Sequence, residues 1–233
     1  MLAARWIRLG QVDSLGLRAN CEGLAATVAV LRHPIALWGR ATESLYLGPE
    51  PSRAGAPAHG LECPAPDVQY AEPASLVYAL LVPLHLAPGR PASWAAWGLA
   101  PALATYRAFG VRAYLEGSAI WLHGRHHAAS HILRIGNALV VASSFPAHCG
   151  RAQGVFGNRR GSSHYDVWGC SDRLARTAPG DSGELPSERG VEGLLQARIE
   201  AQHGWRFENS WPDASEINAI ERVWRSLETL GSH

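Results

Sequence analysis

The sequence predicts a single α+β domain. Three observations favour this class. Runs of β-prone residues alternate with a helical apolar period in the first half, three β-prone runs follow one another between residues 118 and 145, and two segments of helical period close the chain. The 233 residues, 47% hydrophobic and 18% charged, are typical of a globular protein and are enough for one large domain or two small ones.

The first predicted elements are a strand at residues 6–9 and the helix that follows it, with Asp13 as a suitable N-cap. Apolar side chains then recur at helical spacing, at Leu17, Cys21, Leu24, Val28 and Leu31. The pair His33-Pro34 is expected to end this helix, because proline disfavours a helical conformation in the residue before it. Strands are predicted at 35–38 and 45–47, and the five prolines of residues 48–66 indicate a loop.

The middle of the chain is predicted to hold one or two strands within residues 68–86, then a helix over residues 91–110 and an antiparallel meander. Pro91 suits the first turn of the helix, and Pro101 is expected to kink it. The three strands of the meander are expected at 118–123, 126–135 and 138–145, because short glycine-containing turns separate these runs.

The last part of the chain is predicted to be a loop followed by helices. Residues 150–186 are rich in Gly, Ser, Arg and Pro, which indicates a long surface loop with partial disorder. Helices are expected at 187–203, capped by Ser187, and at 214–229, capped by Asp213 or Ser215. The inner face of the second helix is expected to comprise Ile217, Ile220, Val223, Trp224 and Leu227. The predicted organisation is a core of residues 1–149, a loop of 150–186 and a C-terminal helical segment, 187–233, packed on the core.

All 21 basic residues are arginine, and the sequence contains no lysine. This excludes a Walker-A phosphate lysine, a Schiff-base lysine and a lysine general base. The net charge of +1 gives no indication of nucleic acid or of an anionic membrane as a partner. The N-terminus lacks the apolar region of a signal peptide, and the longest apolar stretch, about residues 74–87, is too short to cross a bilayer. We therefore expect a cytoplasmic protein.

Several segments resemble the family of lipoate–protein ligases, octanoyltransferases and biotin–protein ligases. The segments WIRLG at 6–10 and IALWGR at 35–40 resemble the start of those ligases, VQYAEPASLV at 68–77 is similar to the octanoyltransferase stretch V-T-Y-H-G-P-G-Q-L-V, and GRHHAA at 124–129 is similar to the family's G-R-K-[IV]-[AS]-[AG]. The resemblance implies a mixed, largely antiparallel sheet with flanking helices and a pocket for an acyl group. The ligand-binding residues that it implies are Trp38, Arg40, Tyr70, Gly124, Arg125 and Ala128.

The sequence departs from the family at the motifs that handle anions. The glycine-rich pocket segment expected before Val68 reads ECPAPD at 62–67, and proline offers no backbone donor. The histidine of the octanoyltransferase stretch is replaced by Ala71, and the lysine of G-R-K by His126. A histidine with its ordinary pKa near 6.5 is mostly neutral at pH 7, so His126 can act as a base but cannot supply a permanent positive charge.

One further segment is similar to a catalytic motif of the octanoyltransferases. Their acyl-accepting cysteine lies in a P-C-G segment after the meander, and here FPAHCG at 145–150 places His148 beside Cys149. A neighbouring histidine can activate a thiolate, so Cys149 is a candidate nucleophile with His126 or His148 as its base.

The histidines His123, His126, His127 and His131 fall within nine residues, and some of their rings could converge if His123 and His131 lay on paired strands. No acidic residue lies between Glu116 and Asp166 to complete a metal site or to orient a ring, and the four cysteines form no C-x-x-C pair. We therefore predict no metal site, and pocket-lining or solvent-facing histidines are the favoured interpretation.

Four functions remain open from the sequence. The first is a degenerate family member that binds a lipoyl or octanoyl group, a lipoyl domain or an active ligase without standard ATP-dependent ligation. The second is an acyltransferase that moves an octanoyl or lipoyl group from a carrier protein to a lipoyl domain through Cys149. An ATP-dependent ligase ranks lower because both anion-handling elements are changed, and a histidine-rich metal-binding protein ranks last. The only candidate cofactor is the lipoyl or octanoyl group itself.

Overall fold

A computed structural model describes residues 1–31, 33–42, 45–46, 70–71, 74–122, 125–128, 130–145 and 187–231. Its main sheet has six strands: β1 (Leu2–Val12), β2 (Ile35–Ala41), β5 (Leu76–Pro83), β9 (Ser130–Ile135), β10 (Ala138–Phe145) and β11 (Trp205–Ser210). They lie side by side in the order β11-β1-β2-β5-β10-β9. The pairs β11/β1 and β1/β2 are parallel and the other three are antiparallel, so the predicted mixed sheet of an α+β domain is confirmed.

Four α-helices in the described residues cover the two faces of this sheet: α1 (Ser14–Leu31), α2 (Trp94–Ala108), α3 (Glu188–His203) and α4 (Ala214–Gly231). On one face, α1 packs on β5 and β10 and α4 packs on α1. On the other face, α2 and α3 contact each other and cover the sheet. Each face of the sheet therefore has its own apolar core. None of these helices is both long and apolar enough to cross a membrane.

The predicted helix starts are confirmed. Each could be predicted because the residues that form it are close together in the sequence. The Asp13 carboxylate accepts from Gly16 N at 2.6 Å, the Ser187 hydroxyl accepts from Gly190 N at 3.1 Å, and Asp213 accepts from Glu216 N at 2.9 Å. Pro91 begins a 3-10 turn, Pro91–Ser93, that leads into α2. Pro101 lies inside α2, which runs without interruption to Ala108.

The predicted three-stranded meander is wrong in its middle strand. Residues 126–135 do not form one strand, because the chain passes there from one sheet to another. A second sheet contains β6 (Tyr114–Glu116), β7 (Ala119–Leu122) and β8 (Arg125–Ala128), whereas β9 pairs with β10 in the main sheet. Ala128 and Ile132 both belong to the core beneath α2, so the break lets consecutive strands of different sheets supply one core.

The C-terminal segment contributes a strand as well as helices. Trp205 and Phe207 of β11 are buried and Arg206 and Glu208 are exposed, a period of two that the sequence analysis did not use. Strand β11 lies parallel to β1, with Leu2 opposite Trp205. On α4, Leu227 is buried as expected, but Ile217 is 45% exposed, so its assignment to the inner face is wrong.

Two short strands, β3 (Leu45–Tyr46) and β4 (Tyr70–Ala71), form a separate pair. The loops predicted at 48–66 and 150–186 lie outside the described residues.

Candidate functional site

An aromatic face lies on the side of the main sheet covered by α2 and α3. It consists of Trp6, Trp38, Tyr78, Tyr106 and Phe145. The ring centroids of Trp6 and Trp38 are 6.2 Å apart, those of Trp38 and Phe145 are 6.4 Å apart, and those of Tyr106 and Phe145 are 4.9 Å apart. The register explains the cluster, because Trp38 of β2 lies directly opposite Tyr78 of β5 and both side chains are on this face.

Trp38 carries a buried polar atom on this face. Its side chain is 3% exposed, and its indole Nε1 has no hydrogen-bond partner among the described residues. An indole nitrogen can only donate, and a buried donor left without an acceptor costs about 1–3 kcal/mol. Native structures seldom retain such groups without a reason. Trp38 is therefore the described residue of the aromatic face best suited to donate a hydrogen bond to a bound molecule.

Tyr78 places a second polar atom beside Trp38. Burial raises the pKa of its hydroxyl well above the ordinary value. The side chain of Ser143, the residue opposite Tyr78 on β10, partly opposes this rise in pKa. Tyr78 therefore stays protonated at physiological pH, as a neutral hydroxyl within an apolar surrounding.

Two arginines lie beside the aromatic face, each two residues after one of its tryptophans. Arg8 follows Trp6 on β1 and Arg40 follows Trp38 on β2, so all four side chains are on the same side of the sheet. Arg40 is at the end of β2, where it lies opposite Leu76, which in turn lies opposite Phe145 at the end of β10. The ends of three strands thus meet beside the Arg40 guanidinium.

Helix α3 places two carboxylates against these arginines. Glu192 Oε1 accepts from Trp6 Nε1 at 2.8 Å and from Arg8 Nε at 2.6 Å, and the Glu192 side chain is 9% exposed. One turn earlier, Glu188 Oε2 accepts from Arg40 Nη2, with 39% of the glutamate side chain and 42% of the arginine side chain exposed. Both cations on this side of β1 and β2 are therefore paired with α3.

The predicted residues of the second sheet are only partly described. His126 lies opposite Trp121 and Ala128 lies opposite Ile120, so His127 is an extra residue, a β-bulge, between the two pairs. Ala128 is fully buried in the core beneath α2. Gly124 and the side chains of Arg125 and His126 lie outside the described part of the chain.

The remaining predicted residues are separated from this arrangement or fall outside it. His148 and Cys149 lie outside the described residues, and Tyr70 is described only by its pairing with Tyr46. His131 lies on β9, opposite Ala142 in the main sheet, whereas β7 pairs with β8. Burial lowers the pKa of His131.

The described ranges contain no group of three or more histidine, cysteine, aspartate or glutamate residues that could hold a metal ion. His123, His148 and Cys149 lie outside these ranges.

Trp6, Arg8, Glu188 and Glu192 were not predicted as site residues from the sequence. A signal for the first two was present, because the pattern Trp-x-Arg occurs twice, at residues 6–8 in the first predicted strand and at residues 38–40, which start at the last residue of the second. No local pattern marks the two glutamates. Their partners are 148 and 184 residues away in the chain, so only the fold brings them together.

Comparison with known proteins gives matches at the level of structure. No family model and no curated protein matches the sequence. Among solved structures, the bipartite lipoate–protein ligase of Thermoplasma acidophilum superposes with a TM-score of 0.66 at 10% identity, over 97% of this chain and 93% of the other. The fold is that of the biotin/lipoate protein ligases.

Two further structures with this ligase fold are similar over nearly the whole chain. Lipoate–protein ligase A, solved with ATP, gives a TM-score of 0.65 at 10% identity and covers 96% of this chain and 95% of the ligase. The biotin protein ligase of Leishmania major, solved with biotin, gives 0.52 at 12% identity over 94% and 81% of the two chains. The expected ligase fold is therefore confirmed.

Proposed function

We propose that this protein binds a lipoyl- or octanoyl-type acyl group on the aromatic face, in association with a lipoyl domain, and does not carry out ATP-dependent ligation. The observation that carries the proposal is the buried indole N–H of Trp38, which has no acceptor among the described residues. The chain around it has the fold of the ligases. Aromatic side chains suit the hydrocarbon part of such a ligand, and the indole N–H suits a polar atom within it. One structural neighbour was studied with its E2 lipoyl domain, which supports a lipoyl domain as the partner.

The chemistry of the available side chains favours binding over ligation. An acyl-adenylate requires donors and fixed cations around its phosphate, and the sequence has no lysine. The segment ECPAPD at 62–67 has no glycine, and His126 replaces the family's lysine. On the same side of the sheet, Arg8 and Arg40 are paired with glutamates.

Calorimetric titration with octanoate and with lipoate tests the binding proposal. The wild-type protein should bind both. Trp38→Phe keeps the ring but removes the N–H, so its affinity should fall about fivefold, the effect of losing one hydrogen bond of about 1 kcal/mol. Trp224→Phe is the matched control, since it removes an indole N–H that donates to Glu228 on α4. Equal affinity of wild type and Trp38→Phe would remove the support for this site.

Pyrophosphate release tests the absence of ligation. The protein is incubated with lipoate, ATP and a lipoyl-domain acceptor, with an active lipoate–protein ligase as a parallel reaction. We expect no pyrophosphate above background and no lipoylated acceptor. Stoichiometric modification of the acceptor would show that the protein is a ligase.

A second candidate function is a Cys149-dependent acyltransferase, which needs no adenylate. The sequence observation that favours it is the His148-Cys149-Gly150 segment, in which Cys149 is four residues after Phe145, the last residue of β10. The Cys149 thiolate would attack the carrier thioester and release the carrier thiol, and a lipoyl-domain lysine amine would then attack the enzyme thioester to form an amide and free the cysteine.

Mass spectrometry after incubation with octanoyl-carrier protein separates the two functions. The transferase would show an octanoyl adduct on Cys149 that disappears in Cys149→Ser. Cys21 is an internal control, because burial raises the pKa of its thiol to about 12 and so keeps it unreactive. No adduct on Cys149 would eliminate this candidate.

A further inference from the structure

The two ion pairs between α3 and the sheet differ in how deeply their glutamates are buried. Glu192 is nearly buried and accepts from both Trp6 and Arg8, so it cannot leave without depriving the buried indole N–H of Trp6 of its acceptor. Glu188 is 39% exposed, and among the described residues its side chain accepts a hydrogen bond from Arg40 alone. Pairs as exposed as this one contribute little to stability. The Arg40–Glu188 pair is therefore replaceable, whereas Glu192 is held in place by its hydrogen bond from the buried indole of Trp6.

The replaceable cation lies next to the aromatic face. Arg40 and Trp38 are two residues apart on one strand and project from the same side, so their Cα atoms are about 7 Å apart. An acyl chain lying along Trp38 and Phe145 would thus have Arg40 within reach of one of its ends. A guanidinium binds a carboxylate through two parallel hydrogen bonds, which is the arrangement a fatty-acid carboxylate requires.

We propose that Arg40 is the group that binds the carboxylate of an acyl ligand, and that Glu188 occupies Arg40 until the ligand displaces it. This inference rests on the proposed function. It specifies in addition that the ligand is anionic and that its carboxylate lies at Arg40. The carboxylate of Glu188 is an intramolecular mimic of the ligand's carboxylate. Binding therefore exchanges one carboxylate for another on Arg40, and the free protein does not leave an unpaired cation beside an apolar surface.

This exchange predicts opposite effects for the two members of the pair. Removing the negative charge of Glu188 frees Arg40 and should strengthen the binding of an anionic ligand. Removing the charge of Arg40 should weaken it. Neither change should alter the affinity for a neutral ligand of the same shape, because that ligand forms no ion pair with the guanidinium.

Titration with octanoate and with octanamide tests this inference. The two probes share their chain and differ in charge. Glu188→Gln should bind octanoate about fivefold more tightly than wild type and octanamide equally, since it loses only an exposed pair. Arg40→Gln should bind octanoate no better than octanamide, and Arg40→Lys, which keeps the charge, should retain part of the preference. Glu221→Gln is the control, because it removes the exposed Arg225–Glu221 pair of α4.

The outcomes separate the inference from the function on which it rests. Octanoate affinity that is unchanged in both Glu188→Gln and Arg40→Gln, while octanamide and octanoate bind wild type, would overturn the role of Arg40 and leave acyl binding intact. If neither probe binds the wild-type protein or any variant, the proposed function itself fails. Thermal unfolding of each variant shows whether a loss of binding reflects a loss of fold.

Discussion

Arg5 of β1 and Glu216 of α4 form a two-pronged ion pair, with Nη1–Oε1 at 2.5 Å and Nη2–Oε2 at 2.9 Å. Glu216 is fully buried, and its Oε2 also accepts from Asp213 N at 2.8 Å, which completes the start of α4. Arg5 donates further to Ser210 and to the Trp211 carbonyl. The hydrogen bond that Arg5 donates to Glu216 raises the pKa of Arg5. One pair of side chains thus connects β1, β11 and α4.

Arg5→Met should therefore destabilise the protein strongly, because it leaves the buried Glu216 carboxylate without its counter-charge. We expect a loss of about 3 kcal/mol in the free energy of unfolding, measured by urea denaturation. Arg225→Met removes an arginine whose side chain is 77% exposed and should change that free energy by less than about 0.5 kcal/mol. Similar losses in the two variants would contradict the structural role of the Arg5 pair.

Gly98 permits the close approach of α2 to β10. A Cβ atom at this position would lie 2.6 Å from Val141 Cγ2 and 2.9 Å from Val141 Cγ1. We expect Gly98→Ala to lower the free energy of unfolding by about 1–3 kcal/mol through overpacking. Gly193→Ala in α3 is the matched control, since its Cβ would meet no atom within 4 Å, and it should raise stability by about 0.5–1 kcal/mol. A neutral Gly98→Ala would mean that α2 can move away from the sheet at little cost.

His203 should make the fold sensitive to acid. Its ring centroid lies 4.2 Å from that of Trp97 and 4.8 Å from that of Trp205, and neither ring nitrogen has a hydrogen-bond partner among the described residues. Burial lowers the pKa of His203 from 6.5 to about 4. The unfolded chain therefore binds a proton more readily between these pH values, and stability should fall as the pH decreases from 6.5 towards 4.

The measurement is the free energy of unfolding at several pH values for wild type and His203→Phe, which keeps an aromatic ring between the two tryptophans. The wild type should lose about 1–2 kcal/mol more than the variant over this range, allowing for solvent screening of the half-buried ring. His131→Phe is a useful comparison, because burial lowers the pKa of His131 in the same direction. Parallel pH curves for wild type and His203→Phe would show that His203 does not cause the effect.

Glu200 should limit association through the edge of the sheet. Strand β11 is the outermost strand of the main sheet in the described residues, and Phe207 N donates to Glu200 Oε1 at 2.8 Å instead of to another strand. Glu200→Ala leaves this N–H open to pairing with a second chain. We expect self-association of the variant that rises with concentration in sedimentation velocity. Glu208→Ala, at an exposed position of the same strand, should remain like wild type, and an unchanged Glu200→Ala would refute the protective role.

The parts of the fold that could be predicted are those encoded by neighbouring residues. Asp13, Ser187 and Asp213 each contact backbone donors two or three residues away, so a few letters of sequence are enough to locate three helix starts. The division of residues 126–135 between two sheets could not be predicted, because it depends on which strands lie alongside. The same holds for β11, whose partner β1 is at the other end of the chain.

The candidate site also contains residues that a local segment predicts and residues that only the fold brings together. Trp38 and Arg40 were identified because they lie in a segment that resembles the start of the ligases, and the structure places them on one side of β2. Glu188 and Glu192 were not identified, because a glutamate in a helix has no visible property that assigns it to an arginine far away in sequence. Their role depends on the packing of α3 across β1 and β2.

The parallel pairing of β11 with β1 also has a consequence for biosynthesis. Strand β1 is synthesised long before β11, so its outer edge stays without this partner until residues 205–210 have been translated. Over that interval the nascent chain presents an unpaired strand edge, and the pairing of β11 with β1 must close the loop formed by residues 13–204. We expect this pairing to form slowly compared with contacts between neighbouring residues, and the protein to depend on chaperones while the edge is open.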